Sequence, residues 1–82
     1  RPELGPVEWG KVVEYHLWGY VAKLNDSGDI GLVDAVSSHD LLERRIPDCW
    51  PALGDHIKVR RLGVAPGGQL RLTGRQSDID LN

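Results

Sequence analysis

The stretch LWGYV, Leu17–Val21, sets two aromatic rings, Trp18 and Tyr20, on either side of Gly19. Flat rings presented by a strand can stack on the bases of a single-stranded nucleic acid, a contact that every base accepts because every base has a π face. The same rings can fill a core, so their chemistry depends on which way the strand turns them. Phosphate contacts would fall to Lys58, Arg60 and Arg71, which lie with Arg61 and Arg75 in the last third of the chain. Two other constellations have to be weighed. SSHD, residues 37–40, brings Ser, His and Asp together, but a catalytic triad converges from separate elements and needs an oxyanion hole. Helix capping explains Ser38 and Asp40 better. His16, His39, His56 and Cys49 lack the spacing of metal ligands. The sequence therefore predicts no enzyme, no metal site and no cofactor.

The 82 residues suffice for one domain with a modest core. The single Cys49 rules out an internal disulfide and a zinc cysteine pair, and a lone thiol suits a reducing, cytoplasmic setting. There is no apolar run of membrane-spanning length and no signal-peptide pattern, so no membrane partner is expected. The chain opens at Arg1 and has no methionine, as expected of a domain cut from a longer protein or of a processed product. The formal charge of −2 disfavours polyanion binding unless the basic residues are segregated onto one face. Phenylalanine is absent, so the core must be aliphatic with tryptophan as filler, and Trp9 and Trp50 are expected in the core or as a lid.

These residues must be positioned by strands. Residues 1–6 read as a flexible lead-in. Val7–Glu14 alternates valine with polar residues, and Trp18–Leu24 and Asp29–Val33 follow as second and third strands. Between the last two, NDSG (25–28) is turn chemistry. The segment 34–53 breaks the pattern, and Asp40 with Glu43 three residues on predicts one short helix over 40–45, ended before Pro47. DHIKVRRLGV (55–64) and QLRLT (69–73) are a fourth and fifth strand around an APGG turn. Residues 76–82 read as a flexible acidic tail. Five strands with a short helix between the third and fourth predict an all-β fold: a five-stranded antiparallel OB-type barrel over residues 7–75.

GKVVEYHLWGYVAKL (10–24), GDIGLVD (28–34) and LGDHIKVRRLGVAPGGQLRLTGR (53–75) together resemble the RNA-binding domain of the ribosomal protein S-one type, itself an OB fold. The resemblance spans residues 10–75 and rests on an ordered series that includes Gly10, Val12, Gly19, Leu24, Gly31, Leu32, Val33, Gly54, Asp55, Ile57, Val59, Leu70 and Leu72. It implies RNA contacts from five positions. The first aromatic position falls on Trp18. The second falls on Val21, which cannot stack. The histidine after Gly-Leu-Val becomes Asp34, a negative charge where phosphate should pass. The acidic position of the last turn falls on Ala65, and the basic one after it on Gln69. Arg61 occupies a place that the family gives to an apolar residue, where either an irregular strand or an altered face is expected.

A scaffold of RNA-binding type thus carries a depleted site. The leading expectation is a non-catalytic module that binds single-stranded nucleic acid, RNA first, through Trp18, Tyr20, Lys58, Arg60 and Arg71. Val21, Asp34 and Gln69 are candidate contributors at the family positions. On an ideal strand Tyr20 shares Trp18's face, whereas a bulge at Gly19 would turn it inward. The alternative is a protein–protein interaction module that has kept the barrel and lost the RNA site, with Trp18 and Tyr20 as anchors. Neighbouring domains of a longer chain could add affinity through linkage.

Overall fold

The computed structural model describes residues 4–81. Five strands, β1 (Glu8–His16), β2 (Gly19–Leu24), β3 (Ile30–Asp34), β4 (His56–Val64) and β5 (Leu70–Thr73), close into a barrel in the order β1-β2-β3-β5-β4. This is the OB-type all-β barrel that the alternating pattern implies. One detail differs from the expected antiparallel arrangement: β3 and β5 pair in parallel, Gly31 with Leu70 through Val33 with Leu72. Parallel neighbours require a crossover, and the segment 35–55 followed by β4 supplies it.

The inward side chains alternate along the strands. Val12, Tyr20, Ala22, Leu24, Val33, Val59 and Leu72 form the core, with Trp50, Ile57 and Leu70 packed against it. Glycine opens space where the walls come closest. A Cβ on Gly31 would lie 2.7 Å from the Leu72 side chain, and one on Gly19 would lie 2.2 Å from the Val33 carbonyl oxygen. Two bulges bend the wall, one between Val12 and Glu14 and one between Arg61 and Gly63. The second is the irregularity expected near Arg61.

Arg61 lies between Glu8, whose carboxylate it meets at 2.9 Å, and Asp29, also at 2.9 Å. Its guanidinium also donates to Ser27 Oγ at 3.2 Å. Hydrogen bonds to Glu8 and Asp29 hold its pKa above the ordinary arginine value. A charge at a position expected from the resemblance to be apolar is thus accommodated by two carboxylates at the β2–β3 end of the barrel.

The β3–β4 connection contains three 3-10 turns, Ala35–Ser37, Leu42–Arg44 and Pro47–Cys49, in place of one helix over 40–45. Asp40 caps none of them. Its carboxylate instead accepts from the Ser77 backbone N–H at 3.0 Å and from the Ser77 hydroxyl, which hold its pKa below the usual carboxylate range. A capping box requires the acid to face its own turn, and here a distant partner has taken it. That partner belongs to the last segment, where Gln76–Ile79 form a single α-helical turn, α1. Asp78 of this turn is buried, accepting from the Thr73 hydroxyl and from Arg75 Nε. The part of the expected acidic tail up to Leu81 is therefore tied to β4 and β5, whereas Asn82 lies outside the described residues. Of the expected lead-in, residues 1–3 also lie outside, and Gly5 N donates to Arg61 O at 3.3 Å.

Candidate nucleic-acid interface

The outward side chains of β2, β3 and β5 make one continuous face. Val21, Leu32 and Arg71 are aligned across the three strands; Val21 is buried at 9% exposure, Leu32 is half-buried and Arg71 is exposed. At one end, Gly19 pairs with Asp34, and Arg71 Nη2 meets Asp34 Oδ2 at 2.9 Å. The β1–β2 turn caps that end. The Ala35 N–H donates to the Trp18 carbonyl at 2.7 Å, which fixes the turn against the end of β3. The Trp18 side chain is 73% exposed. At the other end lies the β4–β5 turn, closed by Ala65 N to Gln69 O at 2.8 Å, with Gly67 and Gly68 at positive φ of 97° and 91°. Gln69 is exposed there, and its side-chain amide donates to the Leu70 carbonyl at 3.1 Å. In OB folds the face of strands 2 and 3, flanked by these two turns, is where oligonucleotides lie.

Tyr20 is not on this face. It is 3% exposed, and its ring packs against Trp50 with centroids 5.9 Å apart. Burial pushes its hydroxyl pKa up to about 12. The strand begins at Gly19 rather than Trp18, so Trp18 belongs to the turn and does not set the parity. Tyr20 therefore points inward with Ala22 and Leu24.

The basic stripe expected from Lys58, Arg60 and Arg71 is divided. Arg71 stays on the β2–β3–β5 face, paired to Asp34. Arg60 lies opposite Thr73 and its Nη2 donates to the Leu81 carbonyl at 2.7 Å, so the C-terminal segment occupies it. Lys58 lies directly across from Trp9 on β1, with its ammonium 5.4 Å from the ring centroid. Trp9 itself is half-exposed, not a core filler. The alternation that puts Gly10 and Val12 inside already implies an outward Trp9. Trp50 does act as a lid, lying over Tyr20 and Tyr15, and the Tyr15 hydroxyl donates to the Pro51 carbonyl at 2.7 Å.

Ser38, His39 and Asp40 do not converge as a triad. Ser38 Oγ donates to Ala35 O at 2.6 Å and lies 3.2 Å from His39 Nδ1, while the Asp40 carboxylate is turned to Ser77. Among the described residues no group of three or more His, Cys, Asp or Glu side chains is arranged to hold a metal ion. No helix among them is long and apolar enough to cross a membrane.

Comparison with known proteins supports the fold. No family model matches the chain, and no curated protein matches it by sequence. Solved structures do match. The intact alpha subunit of aIF2 from Pyrococcus abyssi superposes with a TM-score of 0.72 at 22% identity, over 93% of this chain and 30% of that one. A complex of a/eIF2alpha, aDim2p and rRNA from Pyrococcus horikoshii gives 0.73 at 22% identity, over 95% and 49%. The solution structure of GSP13 from Bacillus subtilis gives 0.73 at 23% identity, over 100% and 62%. The chain shares the barrel fold of these structures and spans less than two thirds of each of them. Of the family positions named from the resemblance, Trp18, Val21 and Asp34 fall on the β2–β3 face, and Ala65 and Gln69 bracket the β4–β5 turn at its far end.

Proposed function

We propose that this barrel is a non-catalytic module that binds single-stranded RNA on the outer face of β2, β3 and β5. The observation that carries the reading is the solvent-exposed Trp18 at the end of that face, beside Asp34 and Arg71. A base stacks on Trp18, the half-buried Leu32 offers an apolar contact beside it, and Arg71 receives a phosphate when it exchanges away from Asp34. Tyr20, Lys58 and Arg60 have no part in it. The rRNA in one of the complexes that share the fold supports the ligand class. One ring and one arginine already held by a carboxylate make a weak site, suited to acting beside neighbouring domains.

The test is Trp18→Ala against a short unstructured RNA at low salt. Base–aromatic stacking is worth about 1–3 kcal/mol per base, so affinity should fall about 5- to 150-fold, with stability changed by less than about 0.5 kcal/mol because the side chain is exposed. Unchanged affinity would remove Trp18 and this face from the reading.

A second reading, a protein partner, draws on the apolar side chains around the same turn. Leu17 is exposed beside Trp18, and Val36 is exposed one residue after the Ala35 that anchors it. Salt separates the two. RNA affinity falls log-linearly with salt, by about 0.7 per phosphate contact, whereas an apolar contact is nearly indifferent.

A further inference from the structure

On the β1–β4 side of the barrel, away from the β2–β3–β5 face, a second aromatic–basic pairing stands at the rim of a cavity. Trp9 and Lys58 are opposed across β1 and β4. The Lys58 ammonium lies 5.4 Å from the ring centroid, and the ring is still 51% exposed. The cavity, of about 640 Å³, is bounded by β4, the β3–β4 connection and α1. Its size lies within the range of small-molecule sites. Ile57 and Ile79 contribute apolar wall, and Arg44 a second cation. Neither Lys58 nor Arg44 forms an ion pair among the described residues. The one carboxylate on the lining, Asp40, has both oxygens engaged by Ser77.

A flat ring, apolar walls and two cations without a carboxylate partner in one concavity select a ligand with both a π surface and negative charge. Bare phosphate would leave the ring unused, and a neutral aromatic would leave the cations unused. We propose that this cavity is a second binding site, for a nucleotide unit, with the base against Trp9 and the phosphate received by Lys58 and Arg44. The site shares no residue with the β2–β3–β5 face and does not depend on that face binding RNA. The same chemistry is offered by a free mononucleotide and by the 5′-phosphorylated end of a strand.

The test is a titration of the 82-residue chain followed by the indole and amide resonances in two-dimensional NMR. The probes are adenosine 5′-monophosphate, adenosine, inorganic phosphate, and a short RNA with and without a 5′-phosphate. The monophosphate is expected to shift the Trp9 indole and the Lys58 and Ile79 amides and to leave the Trp18 indole unmoved. Adenosine and phosphate should each bind about 10-fold more weakly or worse. Trp9→Ala and Lys58→Ala should each weaken the monophosphate about 5-fold or more, and Trp18→Ala should not. Shifts with the monophosphate identify a free nucleotide as ligand, and shifts only with the 5′-phosphorylated RNA identify a strand end; either supports the site. The proposal is overturned if the Trp9 indole is unmoved by millimolar monophosphate and by phosphorylated RNA, or if adenosine binds as well as its monophosphate. Failure of the β2–β3–β5 reading would be reported separately, at the Trp18 indole.

Discussion

Asp34 is the residue at which the proposed RNA face can be strengthened rather than damaged. Its carboxylate holds Arg71 at 2.9 Å, with the two side chains 30% and 44% exposed. An exposed pair of this kind contributes about 0–1 kcal/mol to stability, and Asp34 makes no side-chain cap to the turn that follows it, so Asp34→Asn should fold normally. Its effect on RNA should be larger. A phosphate approaching Arg71 comes within about 6 Å of the carboxylate, where the repulsion is about 0.7 kcal/mol in bulk dielectric and about 3 kcal/mol at an effective constant near 20. Partial exposure favours the lower part of that range, so affinity should rise about 3- to 10-fold. Arg71 would also gain a full phosphate contact, which should steepen the plot of log affinity against log salt by about 0.7. The assay is fluorescence anisotropy with a labelled single strand of about 10 nucleotides, repeated between about 50 and 200 mM salt. The double variant Asp34→Asn, Arg71→Ala should cancel the gain. A folded Asp34→Asn protein with unchanged affinity and unchanged slope would refute the assignment of Arg71 to the path of the strand.

Four further outcomes follow from the packing. Tyr20→Phe should keep both fold and RNA affinity, whereas Tyr20→Ala should cost about 3–5 kcal/mol in urea unfolding, which separates a core ring from a stacking ring. Burial holds the native Tyr20 pKa at about 12, above the ordinary tyrosine value of about 10, so the native state holds its proton longer than the unfolded chain. Stability should be complete below about pH 10 and fall by up to about 3 kcal/mol as pH rises toward 12, a decline that Tyr20→Phe should lessen. Gly19→Ala would drive a Cβ against the Val33 carbonyl oxygen at 2.2 Å; both sides are backbone, so the strands must part, at about 1–3 kcal/mol, read as a lowered Tm. Asp78→Ala should speed amide exchange over residues 76–81 while leaving the barrel amides protected, because Asp78 joins Thr73 and Arg75 and so holds the segment that occupies Arg60.

What was legible in the chain is what alternation and turn chemistry determine locally. Strand existence, the NDSG and APGG turns and the closed barrel all followed from period-two patterning, and the ordered series from Gly10 to Leu72 placed them in an OB fold. The features that alternation does not predict share a physical cause: each depends on contacts between segments far apart in sequence. Counting from Trp18 leaves Tyr20 outward on an ideal strand and inward with a bulge at Gly19; the strand starts at Gly19, where the approach of Val33 permits only glycine, and Tyr20 is inward. Asp40 with Glu43 three residues on has the spacing of a local cap, but Ser77, 37 residues away, supplies two donors to its carboxylate. Lys58, Arg60 and Arg71 share outward parity in neighbouring strands, which predicts one stripe. The C-terminal turn takes Arg60 and Trp9 takes Lys58. Parity says which side of the barrel wall a side chain leaves from, but not what already stands there. The same rule read one residue earlier would have exposed Trp9, since Gly10 and Val12 are inside. The two exposed tryptophans therefore differ: Trp18 ends a face whose arginine is held by Asp34, and Trp9 lies beneath a lysine with no carboxylate partner among the described residues. The second has lost none of its cation to a carboxylate, which makes Trp9 the more direct place to look for a phosphorylated ligand and Trp18 the place where the ligand must first displace Asp34.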